Sequence, residues 1–338
     1  MDGLRVTEET GVSYSSIVPG MMHACGHDMH TTALMATTQM MVESRQHWRG
    51  TFIALFQPAE ETLSGARDMI KDGLYDLIPE PSAILAAHIT PEPAGTLSLT
   101  PNIAFSRSDR FEIRIHGRGG HASRPESCID PIVCSAYCIT RIQSIVSRVV
   151  PSTSAGVITI GKIHGGETGN VIPDFVDMEV SIRSNSDGLA ELMERELRRI
   201  VASEVVAAQE VDDANPRIWH TLHGPLLCND DVLLRLIAPV FTQMFGARFD
   251  ANVPPVSGSE DIAYLTRAKD GRVIPLLYWR YGGSSLEVIW EVGGDPARLP
   301  SNHSSKFLPQ LRMEEKEDPL KVGARALFAA ALVLLRKM

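Results

Sequence analysis

Only five of the 338 residues are cysteine, and basic residues are outnumbered. Cys25, Cys128, Cys134, Cys138 and Cys228 form an odd, sparse set. That excludes a disulfide scaffold and leads to the expectation of a reducing compartment, the cytoplasm. Lys and Arg total 32 against 41 Asp and Glu, a net charge of −9. Nucleic acid and anionic membranes are poor partners for such a chain, because Lys and Arg carry binding to both. Long hydrophobic runs are missing as well. The longest, Ala326 to Leu335, is about half of the ~20 residues a membrane helix needs and reads as a buried terminal helix. Acids already interrupt the first apolar residues, so no signal peptide is expected. Neither a phosphate-binding P-loop nor a dinucleotide fingerprint occurs, and no G-x-S-x-G elbow marks a serine hydrolase.

What is present is an ordinary globular composition, 44% apolar and 22% charged, in a chain long enough for two domains. Thr31 to Gln46 has helical apolar spacing. Thr51 to Gln57 and Ala83 to His88 are short apolar runs read as buried strands, with a helix over Leu63 to Asp72 between them. Near-continuous apolar strands separated by helices predict a mostly parallel sheet covered on both faces, the α/β class. The middle changes character. Arg110 to His116 and Phe175 to Ser184 alternate apolar and polar residues, as strands with one wet face do. With helices over Asp130 to Val149 and Leu189 to Ala208 and a strand over Ala155 to Ile163, this stretch predicts an α+β layer of antiparallel strands with two helices. The runs Ile218 to Leu222, Val232 to Phe245 and Val273 to Tyr278, and a closing helix from about Leu320, return to the first pattern. The expected partition is one domain of residues 1–105 and 215–338 with residues 106–214 inserted.

Chemistry concentrates in Met22-His23-Ala24-Cys25-Gly26-His27-Asp28-Met29-His30. Cys25 and His27, two apart, can face one cation, and thiolate and imidazole suit zinc-like ions. Asp28 is placed to hold a ligand or a bridging group. Glu60 and Glu61 follow an apolar run, where open α/β sheets place their sites. One glutamate can bind a metal while the other moves protons, because a metal lowers the pKa of its water to about 7. His88 ends the next buried strand, and His303 lies in a loop of small polar residues. Each fragment alone has a plain structural reading, such as a solvated acidic turn or a core histidine. Together they offer five ligands, Cys25, His27, Glu61, His88 and His303, with Glu60 left over. That suits two metals sharing ligands.

The segments HACGHDMHTT, FQPAEE, AAHI, GRGGHAS, IDPI, GGETGNVIP, SGSEDIAYL and NHSSKF resemble the hippurate hydrolase and indoleacetyl-amino-acid hydrolase family, part of a superfamily of two-domain dinuclear metalloexopeptidases. The resemblance runs along essentially the whole chain. It implies hydrolysis of N-acyl amino acids, two divalent ions (zinc or manganese) held by the five ligands, and Glu60 as general base and acid. It also implies that residues 1–105 and 215–338 form the catalytic domain and that the inserted domain is a lid or dimerisation domain, with a homodimer as the expected assembly. His121 is then assigned to the scissile carbonyl's oxyanion, and Asn170 and Arg183 to the substrate's carboxylate or backbone. Arg183 suits that role because its planar fork pairs bidentately with carboxylates. The glycine-rich run Gly117 to His121 could cradle a phosphate but lacks the fingerprint spacing. Ser259, Glu260 and Asp261 read more simply as a helix N-cap with acids in its first turn.

Two departures stand out. Relatives have a longer N-terminal region ending in Asp-Met-Asp-Ala-Leu-Pro, and this chain begins inside it, as Met1-Asp2-Gly3-Leu4-Arg5. Asp2 matches the retained acid, which orients a metal ligand in relatives, but a frayed terminus would hold it poorly. Ser305 replaces a usual proline. The alternative reading is a catalytically impaired, truncated homologue that binds metal or dimerises. The retention of all five ligands and Glu60 counts against decay.

Overall fold

The helical spacing near the N-terminus becomes a helix over His27–Glu43, and the closing apolar run becomes one over Pro319–Leu335. These features come from a computed structural model, which describes residues 2–208, 215–295, 298–311 and 315–336. The chain divides into two compact units. One comprises Met1–Ala104, Cys228–Pro255 and Asp261–Met338; the other comprises Phe105–Leu227 and Val256–Glu260.

The first unit is built on a four-stranded mixed sheet in the order Ile84–Pro93, Leu276–Ser284, Leu97–Leu99, Phe249–Asp250. The first and last pairings are parallel and the middle one is antiparallel. Its central apolar strands read as continuous runs because their neighbours cover both faces. Ile89, Leu97, Leu99, Leu277, Trp279 and Tyr281 pack with Phe241 of the Asp231–Phe245 helix and Ala326 of the terminal helix. Both helices start on an aspartate. Asp230 accepts from the backbone N–H groups of Val232 and Leu233, and Asp318 from those of Leu320 and Lys321. Such caps satisfy donors that have no partner in the helix's first turn.

One expected strand does not form. Among the described residues, Thr51–Gln57 joins no ladder. Its apolar residues serve side-chain packing instead: Phe52 lies against Met41, Trp48 and Ala331, and Leu55 against Ala66 and Leu265. A short apolar run reports burial, and burial does not require a pairing partner.

The second unit is an antiparallel sheet in the order Gly156–His164, Phe175–Ser184, Arg107–His116, Arg217–Gly224. The Phe175–Ser184 strand alternates buried and less buried positions throughout. Phe111, Ile113, Ile115, Met178, Val180 and Ile182 point to one face. The helices Pro131–Ser144 and Asp187–Ala207 cover it with Cys138, Ile142, Met193 and Leu197. The expected insertion, 106–214, ends short of the Arg217–Gly224 strand. That strand pairs with Arg107–His116 and carries the unit to Leu227, and Val256–Glu260 joins it from a distance. Ile218 to Leu222 looked like the first pattern because an edge strand need not alternate cleanly. Residue 214, the expected boundary, lies outside the described residues.

Candidate metal centre

Within the first unit, five separate segments deliver polar side chains to one place. Gly26 makes the turn that brings Cys25 and His27 together. It has φ 77°, and a Cβ there would lie 2.5 Å from Ile89 Cγ2, so only glycine fits. His27 opens the helix and Cys25 lies buried just before it. Glu60 and Glu61 sit on a single 3-10 turn, Glu60–Thr62, flanked by Ala59 and Leu63 at φ 53° and 50°. Two non-glycine residues in the left-handed region mark stored strain, held only where surroundings enforce it.

Asp2 does much of that enforcing. Its carboxylate accepts from the N–H groups of Ala59 and Glu60 at 2.7 Å each and from Glu61 at 3.4 Å. The same carboxylate lies 3.4 Å from His27 Nδ1. The expected looseness of this acid is therefore not found: three backbone donors and one imidazole hold it. Asp28, expected to brace a ligand, is instead exposed on the helix. One residue after His27 in the helix, its side chain points about 100° away around the axis, and Asp2 lies against His27 in its place.

The donors converge. Cys25, His27 and His88 offer ligand atoms within 4.8 Å of one another, and so do Cys25, Glu61 and His303, and also Asp2, His27 and Glu60. Cys25 belongs to the first two groups. Cys25 Sγ is 3.5 Å from His88 Nε2, His303 Nε2 is 3.2 Å from a Glu61 oxygen, and His27 Nε2 is 3.8 Å from both glutamates. His88 Nδ1 is 2.6 Å from the Ile89 carbonyl oxygen, which can only accept. The Nδ1 hydrogen is thereby fixed and the Nε2 lone pair faces the cluster, the arrangement of a ligating imidazole. Burial, and then the nearby His27, hold the His88 pKa down at about 3, so the ring is neutral. Burial likewise lowers His27, against the pull of Glu61 and Asp2. The Cys25 thiol is pushed strongly upward by burial and then by Glu61.

A divalent cation fits this donor set. Glu61 Oε1 is buried without a hydrogen-bond partner, and a costly orphan of this kind calls for a cation. A cation would also relieve the charge and burial that keep Cys25 protonated, since a coordinating thiol is deprotonated.

Two contributors to the site, His30 and Asn302, were not singled out from the sequence, and a third, Asp261, reads there as an acid at a helix start. His30 Nε2 accepts from the Ile89 N–H at 2.9 Å and so steadies the His88 strand beside its ligand. Its spacing of three from His27, one helix face, was the available signal. Asn302 donates to the carbonyl oxygens of Cys25 and Ile89, both at 3.2 Å, tying the His303 loop to both ligand segments. Asp261 is fully buried and accepts from Gln57 Nε2 at 2.5 Å and Ala66 N at 2.9 Å, bracing the glutamate turn from behind. Expected as an acid in the first turn of a capped helix, it precedes the 3-10 helix Ile262–Thr266, which has no side-chain cap hydrogen bond. Ser259 instead lies 3.4 Å from an Arg183 nitrogen.

In the second unit, His121 and Asn170 are brought together on the two-stranded ribbon Gly120–His121 with Val171–Ile172. His121 Nδ1 accepts from the Ser123 N–H at 3.1 Å, and the Asn170 carbonyl accepts from Ala122 N–H at 3.0 Å. Arg183 donates to the Ser257 carbonyl at 3.0 Å, and its pKa is lowered by burial and then by Arg110. The glycine-rich run is not a phosphate cradle. Gly117 N–H donates to the Asp174 carbonyl and Gly119 N–H to the Asp174 carboxylate, and a Cβ at Gly119 would meet Ile172 O at 2.7 Å. Close backbone packing explains those glycines.

Comparison with known proteins shows the family. The sequence pattern of peptidase family M20/M25/M40 matches residues 1–285. An N-acetyl-L-cysteine deacetylase of Bacillus subtilis is 36% identical over 266 residues, 78% of this chain and 62% of its own length. A hippurate hydrolase of Campylobacter jejuni is 32% identical over 271 residues, 80% of this chain and 69% of its own. The chain thus matches roughly two thirds of the length of these relatives. The YXEP protein of Bacillus subtilis, a dinuclear metal-binding peptidase of the M20 family, superposes with a TM-score of 0.75 at 25% identity. That likeness covers 99% of this chain and 79% of the other. Among the described residues, no helix is long and apolar enough to cross a membrane.

Proposed function

Because the chain belongs to peptidase family M20/M25/M40, we propose that it is a metal-dependent amidohydrolase that cleaves the amide bond of N-acyl amino acids and releases the free amino acid. The observation that carries this reading is the sharing of Cys25 between two donor groups, with a Glu60 carboxylate oxygen 3.8 Å from His27 Nε2. Cys25, His27, Glu61, His88 and His303 would hold two divalent ions, zinc or manganese. When bound, such ions polarise the amide carbonyl and acidify water.

The residues then have separable tasks. Glu60 takes a proton from the attacking water and later gives it to the nitrogen of the departing amine, so its carboxylate ends as it began. Asp2 holds Glu60 and Glu61 by their backbone N–H groups and keeps the His27 ring in position. His121 donates to the oxyanion that forms as the carbonyl becomes tetrahedral, the charge that preorganised donors stabilise most. Arg183 and Asn170 bind the carboxylate of the amino-acid part. A homodimer formed through the second unit and a cytoplasmic location complete the proposal, the latter because all five cysteines are free thiols.

The test is metal content together with hydrolysis of an N-acyl amino-acid panel by the purified chain, with Glu60→Gln beside it. Two ions at the Cys25 cluster and Glu60-dependent release of amino acid are expected. Bound metal with no turnover on any member of the panel would overturn the assignment of activity.

A further inference from the structure

A second convergence of metal-ligating side chains lies wholly within the second unit. Asp109, His220 and His223 present ligand atoms within 4.8 Å of one another. One oxygen of Asp109 is 2.9 Å from His220 Nε2 and 2.7 Å from His223 Nδ1. The carboxylate is buried, with a side chain only 3% exposed, while the two imidazoles are about one-third exposed at 33% and 30%.

The backbone is shaped to produce this cluster. In a regular strand, residues three apart point to opposite faces, so His220 and His223 would be separated by the sheet. The pairing of Arg217–Gly224 with Arg107–His116 shifts between Arg110 and Phe111. Asp109 faces His223, Arg110 faces Leu222, and Phe111 faces His220, leaving Thr221 as the extra residue. This β-bulge turns both histidines to the face that carries Asp109 and Phe111. Bulges of this kind re-aim side chains and recur beside functional sites. The surrounding contacts hold the donors still. His220 stacks on Phe111 at 4.6 Å between ring centroids. The other Asp109 oxygen accepts from Arg107 Nε at 2.8 Å, and Arg107 in turn pairs with Asp187 at 3.1 Å. A carboxylate anchored through one oxygen leaves the other for a ligand role, the usual support for a metal site.

We infer that Asp109, His220 and His223 bind one divalent transition ion of the zinc type, separate from the Cys25 cluster. Two imidazoles and one carboxylate suit such an ion. The partly exposed rings leave its remaining coordination to water. The ion ties the edge strand Arg217–Gly224 to its neighbour, where main-chain pairing is interrupted by the bulge.

Cobalt(II) is the probe, because thiolate coordination gives a charge-transfer band and nitrogen–oxygen coordination does not. In Cys25→Ala/His88→Ala, one cobalt per chain should remain, with ligand-field absorption and no thiolate band. Adding His220→Gln and His223→Gln should abolish it. In the otherwise unchanged chain, His220→Gln/His223→Gln should lower cobalt uptake by one ion and keep the thiolate band, which also reports that the fold survives. Zinc should raise the melting temperature of Cys25→Ala/His88→Ala but not of that variant carrying the two glutamines. Unchanged uptake on replacing the two histidines, or no cobalt in Cys25→Ala/His88→Ala while the parent chain binds it, overturns the site. Neither result bears on amide hydrolysis, which the Glu60 experiment tests alone.

Discussion

The two clusters of donors are assembled in opposite ways. The Cys25 cluster gathers side chains from residues 25–27, 60–61, 88 and 303, with Asp2 behind them. No two of those segments form a hydrogen-bonded strand pair; loops, a helix start, a 3-10 turn and, for His88, the strand Ile84–Pro93 carry them. The Asp109 cluster uses two adjacent strands and one extra residue between two histidines. A loop-built site can be recognised from its local motifs, since each ligand sits in a distinctive setting. A site built by strand register has no such signature, because its existence depends on a single inserted residue.

The comparison can be broken at its strongest point first. Glu60→Gln should reduce turnover by about 10²–10⁴-fold, the usual worth of a positioned general base, with both clusters keeping their metal. Deleting Thr221 should come next in effect. It restores a regular ladder, sends one of His220 and His223 to the other face, and so removes saturable cobalt binding from Cys25→Ala/His88→Ala. Hydrolysis at the first site should persist. Asp2→Ala should weaken metal binding at the first cluster by about 10–100-fold, as loss of a ligand's supporting partner does, and leave the Asp109 cluster unaffected. Competition with a chromophoric chelator measures both.

The smallest effect sharpens the contrast in a different currency, stability. Asp261→Ala should cost about 1–3 kcal/mol in urea unfolding, because Ala66 N–H and Gln57 lose a buried acceptor. Burial raises the Asp261 pKa in the folded chain, and the nearby Asp2 adds to it, although its hydrogen bonds pull the other way. A carboxyl raised on folding contributes stability below its unfolded value of 3.8, and that contribution is lost as pH rises through the folded value. Asp261→Asn should flatten this acid-side slope while keeping the acceptor for Ala66. An unchanged slope would remove Asp261 from the account.

Much of the architecture was legible because periodicity survives folding. The Phe175–Ser184 strand alternates as read, and the helices over His27–Glu43, Pro131–Ser144 and Asp187–Ala207 follow their apolar spacing. Thr51–Gln57 misled because an apolar run records that side chains are covered, not which backbone lies alongside. The Arg217–Gly224 strand was placed on the wrong side of the expected boundary for a related reason, since pairing with Arg107–His116 spans about a hundred residues of sequence.

For the site, residue identity alone determined which atoms can bind a cation: one thiol, three imidazoles and a carboxylate, with a second carboxylate beside them. Only the tertiary structure decided that Asp2, not Asp28, steadies His27, that Asp261 braces the glutamate turn instead of lying in a helix's first turn, and that Thr221 brings two unremarkable histidines onto one buried aspartate. The reason is physical. Donor chemistry belongs to individual side chains, whereas which donors share a space depends on register and chain crossings, and those are fixed by contacts between residues far apart in the sequence.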